Sequence, residues 1–313
     1  MTVRLYQLLG LMSVAVAVLA ACAPQAASSE APYIDFTDID PTIISRSAEA
    51  EDPLRIAVAA VISPEGTAES YKLLLDYLEE RLQRPVELIQ RRTYQEINDL
   101  IEQGEVDVAF VCTSAYVEGH DKFGLQLLVA PEVNGMTQYR SLLIVNAQSA
   151  IQDVSDLRGK TFAFTDPMST TGRAYPLYYL TQQGYDPDKF LGRTFLTYSH
   201  DDAIRAVANG VADAAGVDSL VYDFALRREP ELAEKVRIIH ASPPFGIPPV
   251  VVGPKTPASL VATLRDVFLN MDQSAEGRQA MDAIGLDRFV LIDDTAYNSV
   301  RSVRSVLRET HRP

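Results

Sequence analysis

Short apolar runs alternate with longer amphipathic stretches along most of the chain. Residues 54–62 (LRIAVAAVI) are apolar at nearly every position, the pattern of a strand buried on both faces. Residues 63–67 read as a loop, and residues 68–82 as a helix with Tyr71, Leu74, Leu75 and Leu78 on one face. Residues 86–89 form a second strand. Thr93 and Glu96 then make a capping box for a helix that runs to Gln103 and stops at Gly104. Residues 106–111 give a third strand, and 125–130 are strand-like. This βαβαβ order predicts a parallel sheet covered by helices. Ligands on such sheets sit beyond the carboxyl ends of the strands, where residues 63–67 and 113–116 fall.

A strand-like segment, Tyr139 to Val145 (YRSLLIV), and a polar connector at 151–159 with a short helix precede a second alternating set. Its strands are expected at 161–165, 194–198, 214–217 and 236–240, and its helices at 172–183, 201–209 and 219–228. The proline-rich stretch 243–249 interrupts the alternation, a strand resumes at 250–252, and helices follow at 257–271, 275–284 and 295–307. The chain therefore reads as α/β, with two mixed or parallel sheets flanked by helices. Lobe one is expected at 54–141 and 251–313. Lobe two is inserted at 142–250, and two strands near 139–146 and 248–253 form a hinge. The C-terminal helices are expected to return to lobe one.

The front end adds a destination. Residues 1–21 carry one basic residue, Arg4, and an apolar run from 8 to 20, too short for a membrane span and shaped like a secretory signal. Leu19-Ala20-Ala21-Cys22 resembles the bacterial lipobox, which implies lipidation of Cys22 and a protein anchored outside the cytoplasm. Residues 22–53, rich in Ala, Ser, Pro and acids, read as a flexible tether, and residues 33–36 are less polar within it. With Cys22 lipidated, Cys112 is left without a disulfide partner and is expected to be a buried, inert thiol. There is no Trp and no Cys/His cluster, so neither a metal nor a cofactor is expected. The formal net charge of −14 disfavours nucleic acid and anionic membrane surfaces as partners. It also repels anions at long range, so an anionic ligand would have to be recognised by local donors.

The densest chemistry lies in Thr165-Asp166-Pro167-Met168-Ser169-Thr170-Thr171-Gly172-Arg173-Ala174-Tyr175-Pro176, between an aromatic strand and a helix closed by Gly184. The first N–H groups of a helix lack backbone partners and carry partial positive charge, which makes such a turn an anion site. Ser169, Thr170 and Thr171 add hydroxyl donors, and Gly172 allows close approach to the backbone. The same residues are read equally as a plain helix cap. Ser199-His200-Asp201 and Val217-Asp218-Ser219 stand at similar strand-to-helix junctions. His200 can point into a cleft or cap its own helix, and Asp218 can bind a ligand or act as an N-cap.

These motifs, with Val106-Asp107-Val108-Ala109 and Tyr139-Arg140-Ser141-Leu142-Leu143-Ile144-Val145-Asn146, stand in an order that resembles the phosphate, phosphite and phosphonate-binding proteins of bacterial ABC transporters, over about residues 54–285. The resemblance implies a two-lobed type II periplasmic binding protein fold. It implies that Ser169, Thr170, Thr171 and Gly172 cradle a phosphorus oxyanion, with Thr171 where relatives carry Ser, and that His200 touches the same group. An ionised carboxylate only accepts hydrogen bonds. Asp218 would therefore favour a ligand that keeps a P–OH, or one with an amine, and would disfavour sulfate. Tyr139 and Tyr116 are expected to close over the ligand from lobe one, with Ser63 as a further contact and Ser70 a weaker one. Residues 63–67 lack the aromatic that some relatives place there, so a small substituent, or none, fits best.

The expected function is ligand delivery to an ABC permease by a monomeric, lipid-anchored, non-enzymatic carrier. A sensor that reports the same ligand to a membrane receptor or kinase reads identically. Ser169, His200 and Asp218 also have the residue types of a hydrolase triad, although the Gly-x-Ser-x-Gly signature is missing.

Overall fold

In the computed structural model, residues 52–310 are described and fold as one compact unit. The expected signal segment, the Cys22 lipobox and the tether up to residue 51 lie outside the described residues.

The first sheet has six strands in the order β13-β4-β12-β3-β1-β2. Here β1 is Leu54–Val58, β2 Val86–Gln90, β3 Val108–Phe110, β4 Gln126–Glu132, β12 Val250–Val252 and β13 Arg288–Val290. β2, β1 and β3 are mutually parallel, as the βαβαβ pattern requires, whereas β12, β4 and β13 run antiparallel to their neighbours. The parallel crossovers are α1 (Pro64–Leu82) and α2 (Tyr94–Gln103). The expected loop at 63–67 is instead the first turn of α1. Pro64 occupies the first helical position, where its missing N–H costs nothing and its fixed φ suits the helix. β1 is also shorter than its apolar run, because the backbone turns at 59–61, where the Val61 N–H donates to the Ala59 carbonyl.

Helix α3 (Thr113–Phe123) follows β3 directly and was not expected from the pattern. A two-residue pair, β5 (Gln138–Tyr139) with β11 (Phe245–Gly246), then marks where the chain leaves and re-enters the first lobe. The second sheet has five strands in the order β10-β6-β9-β7-β8. They are β6 (Ser141–Asn146), β7 (Phe162–Phe164), β8 (Thr194–Leu196), β9 (Ala214–Asp218) and β10 (Val236–Ala241). Its helices are α4 (Tyr175–Gln182), the short α5 (Pro187–Phe190), α6 (His200–Ala208), α7 (Ser219–Arg228) and the short α8 (Leu232–Lys235).

Each lobe has its own core. Leu54, Ile56, Val108, Val129, Phe268 and Met281 fill lobe one, with Phe268 edge-on between Phe110 and Phe289. Apolar layers cover both faces of the lobe-two sheet, Ile144, Ala215, Ile204 and Val207 on one and Val145, Phe162, Leu177 and Phe190 on the other. The C-terminal helices α9 (Ala258–Leu269) and α10 (Ala275–Ala283) return to the core of lobe one. The last, α11 (Asn298–Thr310), packs on α3 of lobe one and also on α4 of lobe two.

Candidate functional site

The turn after β7 is shaped by two close approaches. Ser169 caps the next helical segment by accepting the Gly172 N–H at 3.0 Å. Residues 170–174 form one wide turn, in which the Ala174 N–H reaches the Ser169 carbonyl five residues back, before α4 begins. Gly172 lies flat on Thr165, and a Cβ there would stand 1.8 Å from Thr165 Oγ1. Gly216 on β9 receives the same turn, since a Cβ on it would fall 2.4 Å from Pro176 Cγ and 3.0 Å from the Thr171 carbonyl oxygen. Ser141 Oγ donates to that carbonyl at 2.7 Å. Glycines thus seat the turn against the sheet with its N–H groups and hydroxyls facing lobe one.

His200 and Asp218 are held by each other's elements. The Asp218 backbone N–H donates to His200 Nδ1 at 3.0 Å, so the neutral ring carries its proton on Nε2, 3.5 Å from Ser169 Oγ. Burial pushes the imidazole down to about 3, so it is an uncharged donor at working pH. Asp218 caps α7, accepting the Leu220 and Val221 N–H groups at 2.7 and 3.4 Å through Oδ1. Burial nonetheless pushes its carboxyl up to about 7 against those two bonds.

Lobe one supplies hydroxyls. Thr170 Oγ1 lies 2.7 Å from both Thr113 Oγ1 and Ser114 Oγ, and Thr113 Oγ1 is 2.7 Å from the Tyr139 hydroxyl. Cys112 is buried as expected, and burial pushes its thiol up against the opposing effect of the nearby Thr170 and Ser114 backbone N–H groups. The Tyr94 hydroxyl is buried with no hydrogen-bond partner, and Asp218, Tyr139 and Cys112 are all near enough to perturb its ionisation. An orphaned buried hydroxyl is a costly group unless something binds it. No Lys or Arg belongs to this cluster. It holds hydroxyls, a neutral imidazole, backbone N–H groups and a carboxyl that keeps its proton near neutrality. Such a set is chemically able to hold an anion by directed donors.

The structure brings Ser169, Thr170, Gly172, His200, Asp218 and Tyr139 together, and Thr171 lies buried in the same turn. Tyr116 is not with them. It packs against Tyr297, with ring centroids 4.7 Å apart, and its hydroxyl donates to Asp294 at 2.7 Å. Ser63 and Ser70 link the lobes instead. The Ser63 N–H donates to Asp201 at 2.8 Å, and Ser70 Oγ accepts from Arg228 at 3.2 Å. Thr113 and Ser114 come from the segment 113–116 expected at the carboxyl end of the third strand, and Tyr94 is the member of this cluster that sequence reasoning did not single out. Tyr94 directly follows the capping-box Thr93 at the mouth of β2, so its strand-end position was the available signal. Among the described residues no group of His, Cys, Asp and Glu could hold a metal ion.

Two α/β lobes joined by paired crossover strands, with polar groups from strand ends of both lobes meeting between them, define a type II periplasmic binding protein. Within that class, the chain belongs to the family described as "ABC transporter, phosphonate, periplasmic substrate-binding protein", whose model matches residues 56–297. The "Phosphonates-binding periplasmic protein" of Escherichia coli is 24% identical over 260 residues, covering 82% of this chain and 77% of that one. The "Phosphate-import protein PhnD" of Mycolicibacterium smegmatis is 29% identical over 184 residues, covering 54% and 57%. A crystal structure of a binding protein component of an ABC phosphonate transporter from Pseudomonas aeruginosa superposes with a TM-score of 0.77 at 24% identity, covering 81% and 86%. A Prochlorococcus marinus protein solved in complex with methylphosphonate gives 0.74 at 19% identity, covering 82% and 98%. The protein is a periplasmic substrate-binding component of an ABC transporter.

Proposed function

We infer that the chain captures a phosphorus oxyanion (a phosphonate, phosphite or phosphate) between its lobes and delivers it to the permease of an ABC importer. The observation that carries this reading is the donor cluster around Ser169, Thr170, His200 and Tyr139, set beside a buried Asp218 whose carboxyl is pushed up to about 7. A protonated Asp218 donates to an oxyanion. An ionised one still accepts from a P–OH. Sulfate carries no proton near neutrality and offers neither match once Asp218 ionises. The names of the relatives, which cover phosphonates, phosphite and phosphate, agree with this class.

The site is not wired as a hydrolase. His200 Nδ1 is taken by the Asp218 backbone N–H, the Asp218 carboxylate by its own helix, and Ser169 Oγ already caps a turn. The nucleophile, base and orienting acid of a triad need a different chain of bonds. The carrier acts as a monomer, held to the membrane through a lipid on Cys22, so that replacing Cys22 by Ser should release it into the soluble fraction.

The double substitution Ser169→Ala and Thr170→Ala removes two hydroxyls from the cradle. It should weaken binding of the preferred oxyanion at least about 100-fold by calorimetry, at about 1.5 kcal/mol or more per charge-assisted bond. Unchanged affinity with the fold intact would remove this turn from the site.

A further inference from the structure

Beside the donor cluster lies a second feature that the oxyanion alone does not use. A chamber of about 140 Å³ opens between the lobes. Its walls include Tyr71, Phe110, Val111, Pro131, Ile247 and Leu286. The polar groups on it are few, and the buried ones are Asp218 and Ser70. Asp223, Arg227 and Asn134 are solvent-exposed and stand at its mouth, where the Arg227 guanidinium reaches from α7 to within 2.7 Å of where a Cβ would stand on Gly285 of lobe one.

The chamber and the donor cluster share residues. Asp218 lines the chamber while its N–H holds His200. Val61 lines it while its carbonyl accepts the His200 backbone N–H at 2.9 Å. Val111 lines it two residues before Thr113, whose hydroxyl lies 2.7 Å from Thr170 Oγ1. A phosphorus oxyanion held by Ser169 and Thr170 would therefore lie beside this apolar space, with Asp218 between the two.

We propose that this chamber receives the organic substituent of the cargo, and that the cargo is a phosphorus oxyanion bearing an apolar group of up to about six non-hydrogen atoms, rather than an inorganic oxyanion. The size follows from volume, since an apolar cavity of about 150 Å³ holds a benzene-sized molecule. The apolar character follows from the walls, where an ammonium would lose its water and find, past Asp218, only the Ser70 hydroxyl, which already accepts from Arg228, as a buried acceptor. The expectation of a small substituent rested on the absence of an aromatic at 63–67. In the fold those residues begin α1, and the aromatic walls come from Tyr71 on α1 and Phe110 on β3.

This inference rests on the oxyanion reading above. The test is calorimetric titration of the whole protein with phosphate, phosphite and methyl-, ethyl-, propyl- and butylphosphonate. Butyl phosphate is added to separate a phosphonate from a phosphate ester, and 2-aminoethylphosphonate serves as the polar isostere of propylphosphonate. Affinity should rise about fourfold per added methylene through butyl, which corresponds to about 0.8 kcal/mol of burial each. Propylphosphonate should bind more tightly than 2-aminoethylphosphonate. Leu286→Trp and, from another wall, Val133→Phe should abolish the chain-length gradient and leave methylphosphonate affinity unchanged. A flat or falling series, the reverse order for the isosteric pair, or a gradient that survives both variants overturns the chamber's role while leaving the oxyanion reading in place. No binding by any compound overturns both.

Discussion

Burial decides the protonation of the two titratable groups in the site, and it pushes them in opposite directions. Asp218 gains a proton relative to water and His200 loses one. Asp218 should therefore change charge near pH 7, and affinity for a fully ionised oxyanion should fall as pH rises through that value. Asp218→Asn should flatten this profile, as read by titrations at pH 6, 7 and 8. For His200 the folded value lies below the unfolded one, so the unfolded chain binds the extra proton as pH drops from about 6.5 toward 3. Stability is then lost on acidification, by at most about 5 kcal/mol. His200→Gln should show less acid destabilisation than the native protein by denaturant unfolding. An equal pH slope in both would mean that the imidazole reaches water. The types of these two residues were legible in the sequence, but their protonation was not, because it depends on burial by segments far away in the chain. The same holds for the partners of Thr170, which come from Thr113 and Ser114, more than fifty positions earlier.

Elements place these residues, and local signals placed most elements. The Thr93–Glu96 capping box is present as expected, with Thr93 Oγ1 accepting from the Glu96 backbone and the Glu96 carboxylate accepting from Thr93. Thr93→Ala should cost about 1 kcal/mol in denaturant unfolding, and it should also weaken ligand binding, since Tyr94 is the first residue of that helix. The wide turn at 170–174 is more demanding. Gly172→Ala forces a methyl into Thr165 and should cost about 1–3 kcal/mol. Adding Thr165→Ala, which also removes a buried hydroxyl that has no partner, should restore part of it, since the Thr165 Cβ still stands 2.8 Å from the new methyl. Helix α3 escaped the pattern for two reasons. Its cap residue, Cys112, makes no side-chain cap bond, and Gly119 sits mid-helix. That glycine is a packing choice, since a Cβ there would stand 2.8 Å from both Leu125 and Phe123. Strand β13 escaped because it is three residues long and pairs on one side only.

At the scale of the molecule, the lobes meet across the site through contacts of unequal worth. Arg228 bonds Glu69 at 2.6 Å, but both side chains are exposed, and such pairs contribute about 0–1 kcal/mol. Asp201 is buried and accepts the Ser63 N–H at 2.8 Å, and Asp166 accepts the Tyr94 N–H at 3.0 Å. Closure should therefore depend on the buried acceptors. Asp201→Ala should weaken ligand binding about tenfold, whereas Glu69→Ala should change it less than threefold in the same titration. The two-lobed plan was legible because each lobe repeats the alternation of apolar strand and amphipathic helix, and because the proline-rich stretch breaks it. That α11 bridges both lobes was not, since an amphipathic helix does not name its partner. The central claim is that uncharged donors and an Asp218 that ionises near pH 7 select phosphorus oxyanions that keep a proton. Calorimetric titration of the ligand-stripped protein at pH 8 with phosphate, phosphite, methylphosphonate and sulfate tests it most directly. Tight binding of at least one phosphorus compound with sulfate at least about 1,000-fold weaker is the predicted result. Equal affinity for sulfate, or binding of none of the four, would contradict it.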